Sequence, residues 1–563
     1  MVSRSRYLAV VVLALCSSAQ VAVAENAKPQ ANAIASAHYL ATEAGMEVFA
    51  AGGNAFDAAV AVSSTLAVVE PASSGLGGGG LWLLHRAQDN FDVMIDGREM
   101  APGAADRNMY LGADGEVNRD LAVNGPLAAG IPGEAAGFVH LARHYGRLPL
   151  AESLAPAIRL AKNGFPVDEK YRALMTNRAA VVNRYPAASA IFLVDGQVPP
   201  LGHVIKQPDL ARVLESIATH GHDGFYTGPI AQKLVAGVRE AGGIWTLDDL
   251  ARYKVVEREP VRTSYKGYKL VTASPPSSGG IALATMLNIL NPYPLSTMTE
   301  AERTHLVIES MRRAYRDRTL YLGDSDFVDV PIQRLTHPFY ADGLRAGIRH
   351  DRATPSEMLP GIESEPGGTD TSHFSLIDTE GNMVAGTLTV NLPYGSGFVA
   401  PGMGFFLNNE MDDFSAKKGS PNAYGLLGAE ANAIVPYKRP LSSMTPTIVH
   451  GDDQVAILGT PGGSRIITMV LLGILEFVDG KPPQDWVSRP RYHHQYMPDQ
   501  VTYEPGTFDA ETLATLESMG HEVKDRGRTW GNMHGVRWNV LTGEVDAASD
   551  PRWTSGRSMV EVP

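Results

Sequence analysis

Cysteine is nearly absent from this chain: 563 residues contain one, Cys16. It closes a ten-residue apolar stretch, Tyr7–Cys16, that follows Arg4 and Arg6 and precedes Ala22-Val23-Ala24. Basic start, short apolar run and small-residue site together predict an export leader, residues 1–24, cleaved after Ala24. Leu15 is too bulky for a lipid-attachment signal at Cys16. The mature chain would hold no thiol, which excludes disulfides and thiol catalysis. An excess of positive charge is also missing. With 48 Lys and Arg against 61 Asp and Glu, the net charge is −13. There is no basic stripe, which argues against a nucleic-acid partner. No segment after the leader is apolar enough to cross a bilayer. No period of 20 to 50 residues marks a repeat array. The G-x-S-x-G elbow, H-E-x-x-H and the EF-hand spacing are absent as well.

What is present is a long globular chain, 44% apolar and 19% charged, large enough for a substantial core or two closely packed halves. Its centre of interest is Thr371. The preceding E-S-E-P-G-G-T-D, residues 363–370, has no apolar period and reads as a solvated linker. Beyond it, alternation through Phe374 and Leu376 reads as a strand. Thr379-Glu380-Gly381 reads as a three-residue hairpin loop, and Met383 to Asn391 as the returning strand. A hairpin centred on Glu380 places Thr371 opposite Thr389, with Asn391 two residues on and on the same face. On pattern alone this is a threonine-rich hairpin behind a linker.

Other stretches carry chemistry only in company. Asn54 reads as the N-cap of a helix buried on all sides, ending before Pro71. Gly75 to Gly80 contains G-x-G-x-x-G, but the order is helix, glycines, strand, the reverse of a dinucleotide site. It therefore reads as a tight turn where backbones approach closely. Arg98 follows a short strand and, alone, reads as a surface ion-pair partner. Residues 125–322 read as mostly helical and structural, with helices at 208–220 and 229–241. The acids of Gly404 to Ser415 read as solvated or calcium-like. Ala416 to Tyr437 reads as a long loop of the kind that forms lids. Ser442-Ser443 beside Pro440 reads as a turn. Gly462-Gly463 follows a strand and precedes a helix, so its N–H groups suit an oxyanion hole or an anion nest. His493-His494 are adjacent and point apart, so no metal is expected.

The stretch D-T-S-H-F-S-L-I-D-T-E-G-N-M-V-A-G-T-L-T-V-N resembles the maturation site of the gamma-glutamyltranspeptidases (glutathione hydrolases), members of the N-terminal-nucleophile hydrolases. The L-G-G-G-G run, R-E-x-A-P, the 404–415 segment, S-S and P-G-G match the same family, from about residue 30 onward. The resemblance implies an α+β fold, a four-layer αββα sandwich of the N-terminal-nucleophile hydrolase type. It implies an autocatalytic cut between Asp370 and Thr371. A large subunit, 25–370, and a small subunit, 371–563, would form a heterodimer. Thr371 would be the nucleophile with its own α-amine as base, steadied by Thr389, and Gly462 and Gly463 would form the oxyanion hole. Arg98, Ser442 and Ser443 would hold a substrate α-carboxylate; Glu410 and Asp413, with Asn391, would hold its α-ammonium. No cofactor and no metal are implied.

The expected activity is cleavage of the gamma-glutamyl amide of glutathione and related small molecules. The acyl group would pass to water, amino acids or peptides. The expected location is periplasmic or secreted, with no membrane span after leader removal. Two other readings stand beside it: a glutaryl-type (cephalosporin) acylase of the same superfamily, and a non-catalytic exported protein that binds gamma-glutamyl compounds. A free α-amine titrates near pH 7.7 to 8.0, so it can serve as the base once the preceding peptide bond is cut.

Overall fold

The computed structural model describes residues 27–359, 371–417, 422–423, 425–426 and 429–563. The expected leader and Asp370 lie outside them, as do parts of the 416–437 loop. Among the described residues, two large antiparallel sheets face each other. The first runs, in spatial order, Arg557–Glu561, Asn32–Ser36, Ser372–Ile377, Met383–Thr389, Gly79–Arg86, Phe91–Gly97 and Val256–Arg258. The second runs Val545–Ser549, His534–Asn539, Gln454–Gly459, Thr447–His450, Tyr268–Thr272 and Val261–Tyr265.

Side-chain alternation builds the layers. Ile34, Trp82, Leu84, Phe374 and Val384 leave the first sheet on one side and pack against Tyr39–Ala50, Ala55–Val69 and Glu134–His144. Their neighbours Ala33, Leu81, Leu83, Ile377 and Ala385 leave on the other and meet Ile448, Ile457 and Val536 of the second sheet. Helices Gly279–Leu290, Glu300–Tyr321 and Ile466–Val478 share that core. The order is helix, sheet, sheet, helix: the expected four-layer sandwich. Burying both faces of each sheet explains why strands such as Gly79–Arg86 are nearly all apolar.

Local expectations hold in detail. Asn54 caps Ala55–Val69 in a capping box with Asp57, and all fifteen residues of that helix are buried. Pro208–His220 forms with Gly221 at its end, and Gly228–Glu240 likewise. The stretch 125–322 is mostly helical, as expected, but that reading passes over Val256–Arg258, Val261–Tyr265 and Tyr268–Thr272, which supply an edge of each sheet. These strands are short and carry Glu, Arg and Lys on their open sides, so no apolar run announces them.

Candidate active site

The hairpin takes the expected register. Met383 pairs with Ile377 and Leu388 with Ser372, so Thr371 and Thr389 lie one step further along the same two strands. The turn is the three-residue loop: Gly381, at φ +92°, donates its N–H to Asp378 O at 3.0 Å. Asn391 reaches the site differently from the expectation. The strand stops at Thr389, and Asn391 sits at φ +72°, its N–H donating to Thr389 Oγ1 at 2.8 Å. A left-handed turn, rather than strand alternation, therefore keeps Asn391 beside Thr389. Because Thr389 Oγ1 already accepts that N–H, its own proton is available to a neighbouring oxygen.

One cavity is lined by Thr371, Thr389, Asn391, Arg98, Glu410, Asp413, Ser442, Ser443 and Gly463. All but two of the sequence-predicted site residues thus meet at one place. Gly462 instead lines an adjoining cavity, and Asp370 is outside the described residues. The glycine run explains part of the convergence. A Cβ on Gly78 would stand 2.1 Å from Thr389 O, and one on Gly77 equally close to Phe406 O. Backbone therefore lies directly on backbone. Gly77 O accepts the Asn408 N–H at 3.0 Å, which fixes the segment carrying Glu410 and Asp413.

Arg98 extends from the end of Phe91–Gly97 and is 1% exposed. It donates to Glu410, to Asp413 at 2.5 Å and to Glu99 at 3.2 Å. One guanidinium thus faces three carboxyls, two of them buried and that of Asp413 half-buried. Burial is the main cause that pushes Glu410 well above the usual carboxylate range and Glu99 up to about 7; the Arg98 charge opposes it. Asp413 is raised for the same reason. Burial alone would lower Arg98, but Glu410, Glu99 and Asp413 outweigh it and hold the guanidinium charged. The cluster is short of positive charge. A ligand ammonium is the species that would let all three carboxyls ionise.

The serines are held by groups that sequence reasoning passed over. Ser442 Oγ accepts the Met444 N–H at 3.1 Å, and Ser442 O accepts from Ser278 Oγ at 2.7 Å. Arg318, on Glu300–Tyr321, donates to Ser278 Oγ at 3.0 Å and to Ser443 Oγ at 3.4 Å. Burial lowers Arg318 to about 10. Ser372 Oγ donates to Glu70 Oε2 at 3.1 Å, which also accepts from Lys170 at 2.5 Å. These residues sit in helices or loops where nothing but the dense Arg content of 312–318 marks them. From the 416–437 loop, Asn422 donates to Asp413 at 2.9 Å and Leu426 lines the cavity.

The P-G-G loop enters a short 3-10 turn, Gly463–Arg465, that opens helix Ile466–Val478. Gly462 lies at φ +145° and Gly463 at φ +57°. The turn's hydrogen bonds use their carbonyls: Arg465 N–H donates to Gly462 O, and Ile466 N–H to Gly463 O. Their N–H groups lie at a helix start, where partial positive charge collects.

The histidines lie elsewhere. His373 is wedged between the sheets, bonded to Thr387 Oγ1 at 2.8 Å, and burial holds it well below the usual histidine range. His493 pairs with Thr468 and Gln495, and His494 with Asp499. His85, Asp92 and His450 form one cluster that has metal-ligand composition among the described residues. There Asp92 is already shared by His85 at 2.7 Å and Arg262 at 2.5 Å, and the guanidinium competes with any cation.

Comparison with known proteins agrees with this geometry. The profile of the family described as Gamma-glutamyltranspeptidase matches residues 41–560. A glutathione hydrolase proenzyme of Escherichia coli (strain K12) is 42% identical over 528 residues, 92% of this chain and 90% of that one. One from Pseudomonas sp. (strain A14) is 43% identical over 495 residues, 87% and 86% of the two chains. Among solved structures, cephalosporin acylase from Bacillus halodurans superposes with a TM-score of 0.83 at 27% identity, covering 98% of this chain and 99% of that one. Helicobacter pylori gamma-glutamyltranspeptidase aligns at 39% identity with a TM-score of 0.57, over 58% of this chain and 94% of that one.

Proposed function

The chain belongs to the gamma-glutamyltranspeptidase family, and we propose that it is an exported, self-processing enzyme that cleaves gamma-glutamyl amides. The observation that carries this reading is the single cavity where Thr371 meets Arg98, Glu410, Asp413, Ser442 and Ser443.

Maturation comes first. Thr371 Oγ attacks the carbonyl carbon of Asp370, the peptide C–N bond breaks, and the freed amine stays on Thr371. Water hydrolyses the resulting ester and leaves two subunits, 25–370 and 371–563. In turnover, the Thr371 α-amine takes the Oγ proton as Oγ bonds to the γ-carbonyl carbon. The N–H groups of Gly462 and Gly463 stabilise the oxyanion, a contribution worth about 2.7 to 4 kcal/mol per donor. The ammonium then gives its proton to the departing amine as the C–N bond breaks. Water, or the amine of an amino acid or peptide, attacks the threonine ester, and the α-amine again carries the proton.

Recognition follows from charge. The Arg98 fork and the serine hydroxyls suit a substrate α-carboxylate, since a guanidinium can bond both its oxygens. Glu410 and Asp413 suit an α-ammonium. The surplus of carboxyls supports a gamma-glutamyl group over a glutaryl group, which lacks that ammonium. The 42 and 43% identities to glutathione hydrolase proenzymes point the same way.

Among the described residues no helix is long and apolar enough to cross a membrane. We take the leader at 1–24 as the export signal to the periplasm or medium.

Intact mass of the exported protein tests the reading. Two polypeptides, one beginning at Thr371, are expected, with gamma-glutamyl-anilide hydrolysed faster than glutaryl-anilide. A single chain would sink the maturation, and the opposite substrate order would sink the gamma-glutamyl assignment.

A further inference from the structure

A second cavity, of about 340 Å³, adjoins the first across the P-G-G loop: Gly462 lines one and Gly463 the other. It falls within the size range of small-molecule sites. Lys170, Arg465, Arg526 and Arg528 line it together with Trp530 and Asn532, and no Asp or Glu is among its lining residues.

Arg465 is 7% exposed. Among the described residues its guanidinium has neither a carboxylate nor a hydrogen-bond partner, and its Nε is buried. Its guanidinium carbon lies 5.3 Å from the centre of the Trp530 ring. Trp530 Nε1, Asn532 Nδ2 and Asn532 Oδ1 are likewise buried without partners. Burial, reinforced by Arg526 and Arg528, lowers Arg465 to about 10. A buried guanidinium is costly to leave without partners, and an anion is the ligand that would complete it. By contrast, Arg552 on the same wall is fully engaged by Glu504 and Asp550.

We infer that this cavity receives the free C-terminal carboxylate of the peptide that leaves, and by microscopic reversibility of the peptide acceptor that enters. The inference rests on the gamma-glutamyl reading above. With the γ-glutamyl group held by Arg98 and the acids, and its carbonyl oxygen on the P-G-G loop, the departing amine projects past Gly462. Arg465 then supplies donors to the carboxylate from the cavity wall, and Arg526 and Arg528 draw it in. The enzyme so built selects anionic peptides over neutral amines.

The test compares glutathione with its C-terminal amide, which share the scissile bond and differ only in the carboxylate. We expect the wild type to favour the acid at least about tenfold in kcat/KM, with the preference shrinking in 0.5 M salt as screening rises. Arg526→Gln/Arg528→Gln, at the cavity rim where Arg528 is exposed and Arg526 half-buried, is expected to bring the acid-to-amide ratio to within about threefold of one. Arg465→Gln should do the same where it matures. A wild-type ratio near one, or a ratio unchanged in the rim double variant, overturns the inference while leaving gamma-glutamyl cleavage intact. Failure of the wild type to cleave either compound overturns both.

Discussion

Arg98 Nη2 donates to Asp413 Oδ2 across 2.5 Å, a bond between a buried guanidinium and a half-buried carboxylate on opposite sides of the proposed cut. Removing one partner from a buried ion pair strands the other, typically at about 3 to 5 kcal/mol. Arg98→Gln is therefore expected to lower the melting temperature and to reduce kcat/KM for a gamma-glutamyl substrate by at least about 10²-fold, mainly through KM. Arg98→Lys keeps the charge but loses the fork, so it should recover stability more than affinity. Calorimetry with steady-state kinetics on both variants decides this. An unchanged KM in either would remove Arg98 from substrate binding.

Thr371→Ala should leave the chain uncut and inactive, seen as one band on a denaturing gel. Thr371→Ser keeps a hydroxyl and, after cutting, an α-amine, so it should mature and turn over, both more slowly. A Thr371→Ala protein that still separates into two subunits would contradict the assignment of the nucleophile.

Gly462→Ala tests the oxyanion loop. At φ +145° a side chain is strained, and the new Cβ would stand 2.5 Å from Met469 Cε. The loop must shift, which would misplace the N–H groups proposed to stabilise the oxyanion. A fall of about 10²-fold in kcat with little change in KM is expected. A fall in KM affinity at constant kcat would assign the loop to ground-state binding.

Glu309 offers a test of pH dependence away from the site. Burial opposes its ionisation, but Arg312 and Arg313 outweigh that and pull its pKa down to about 2. Its folded pKa is depressed, so its stabilisation is fully present above the unfolded value near 4.5 and is lost as pH falls towards 2. A shift of that size corresponds to roughly 3 kcal/mol. Urea unfolding at pH 7 should show Glu309→Gln destabilised by that order. The gap from wild type should close between about pH 4.5 and 2. A gap constant across that window would exclude the linkage.

Much of the site was legible because it is built from short local signals. The hairpin register followed from one Gly-containing loop, and the glycine run announced a backbone contact that proved to be with Thr389. Arg98, Glu410 and Asp413 were findable as members of a resemblance, but their mutual pairing was not. It is a contact between residues 312 and 315 positions apart. Arg318, Glu70 and Lys170 stayed hidden for a related reason. A buried charge on a helix looks the same in sequence as a solvated one, and only tertiary packing distinguishes them. The short strands at 256–272, two of them at sheet edges, were missed because their polar residues dilute the alternation that marks a strand.

Ser372–Ile377 and Met383–Thr389 form the middle of the first sheet, flanked by Asn32–Ser36 on one side and Gly79–Arg86 on the other. The new chain end made by the proposed cut is therefore clamped between strands of the other subunit and cannot leave with its own part. Before the cut, folding is unimolecular and independent of concentration. After it, the same structure could be regained only by the meeting of two separate polypeptides, neither holding a complete sheet. The proposed maturation would thus make recovery from unfolding a second-order reaction, and the enzyme's persistence would become a matter of how slowly it opens.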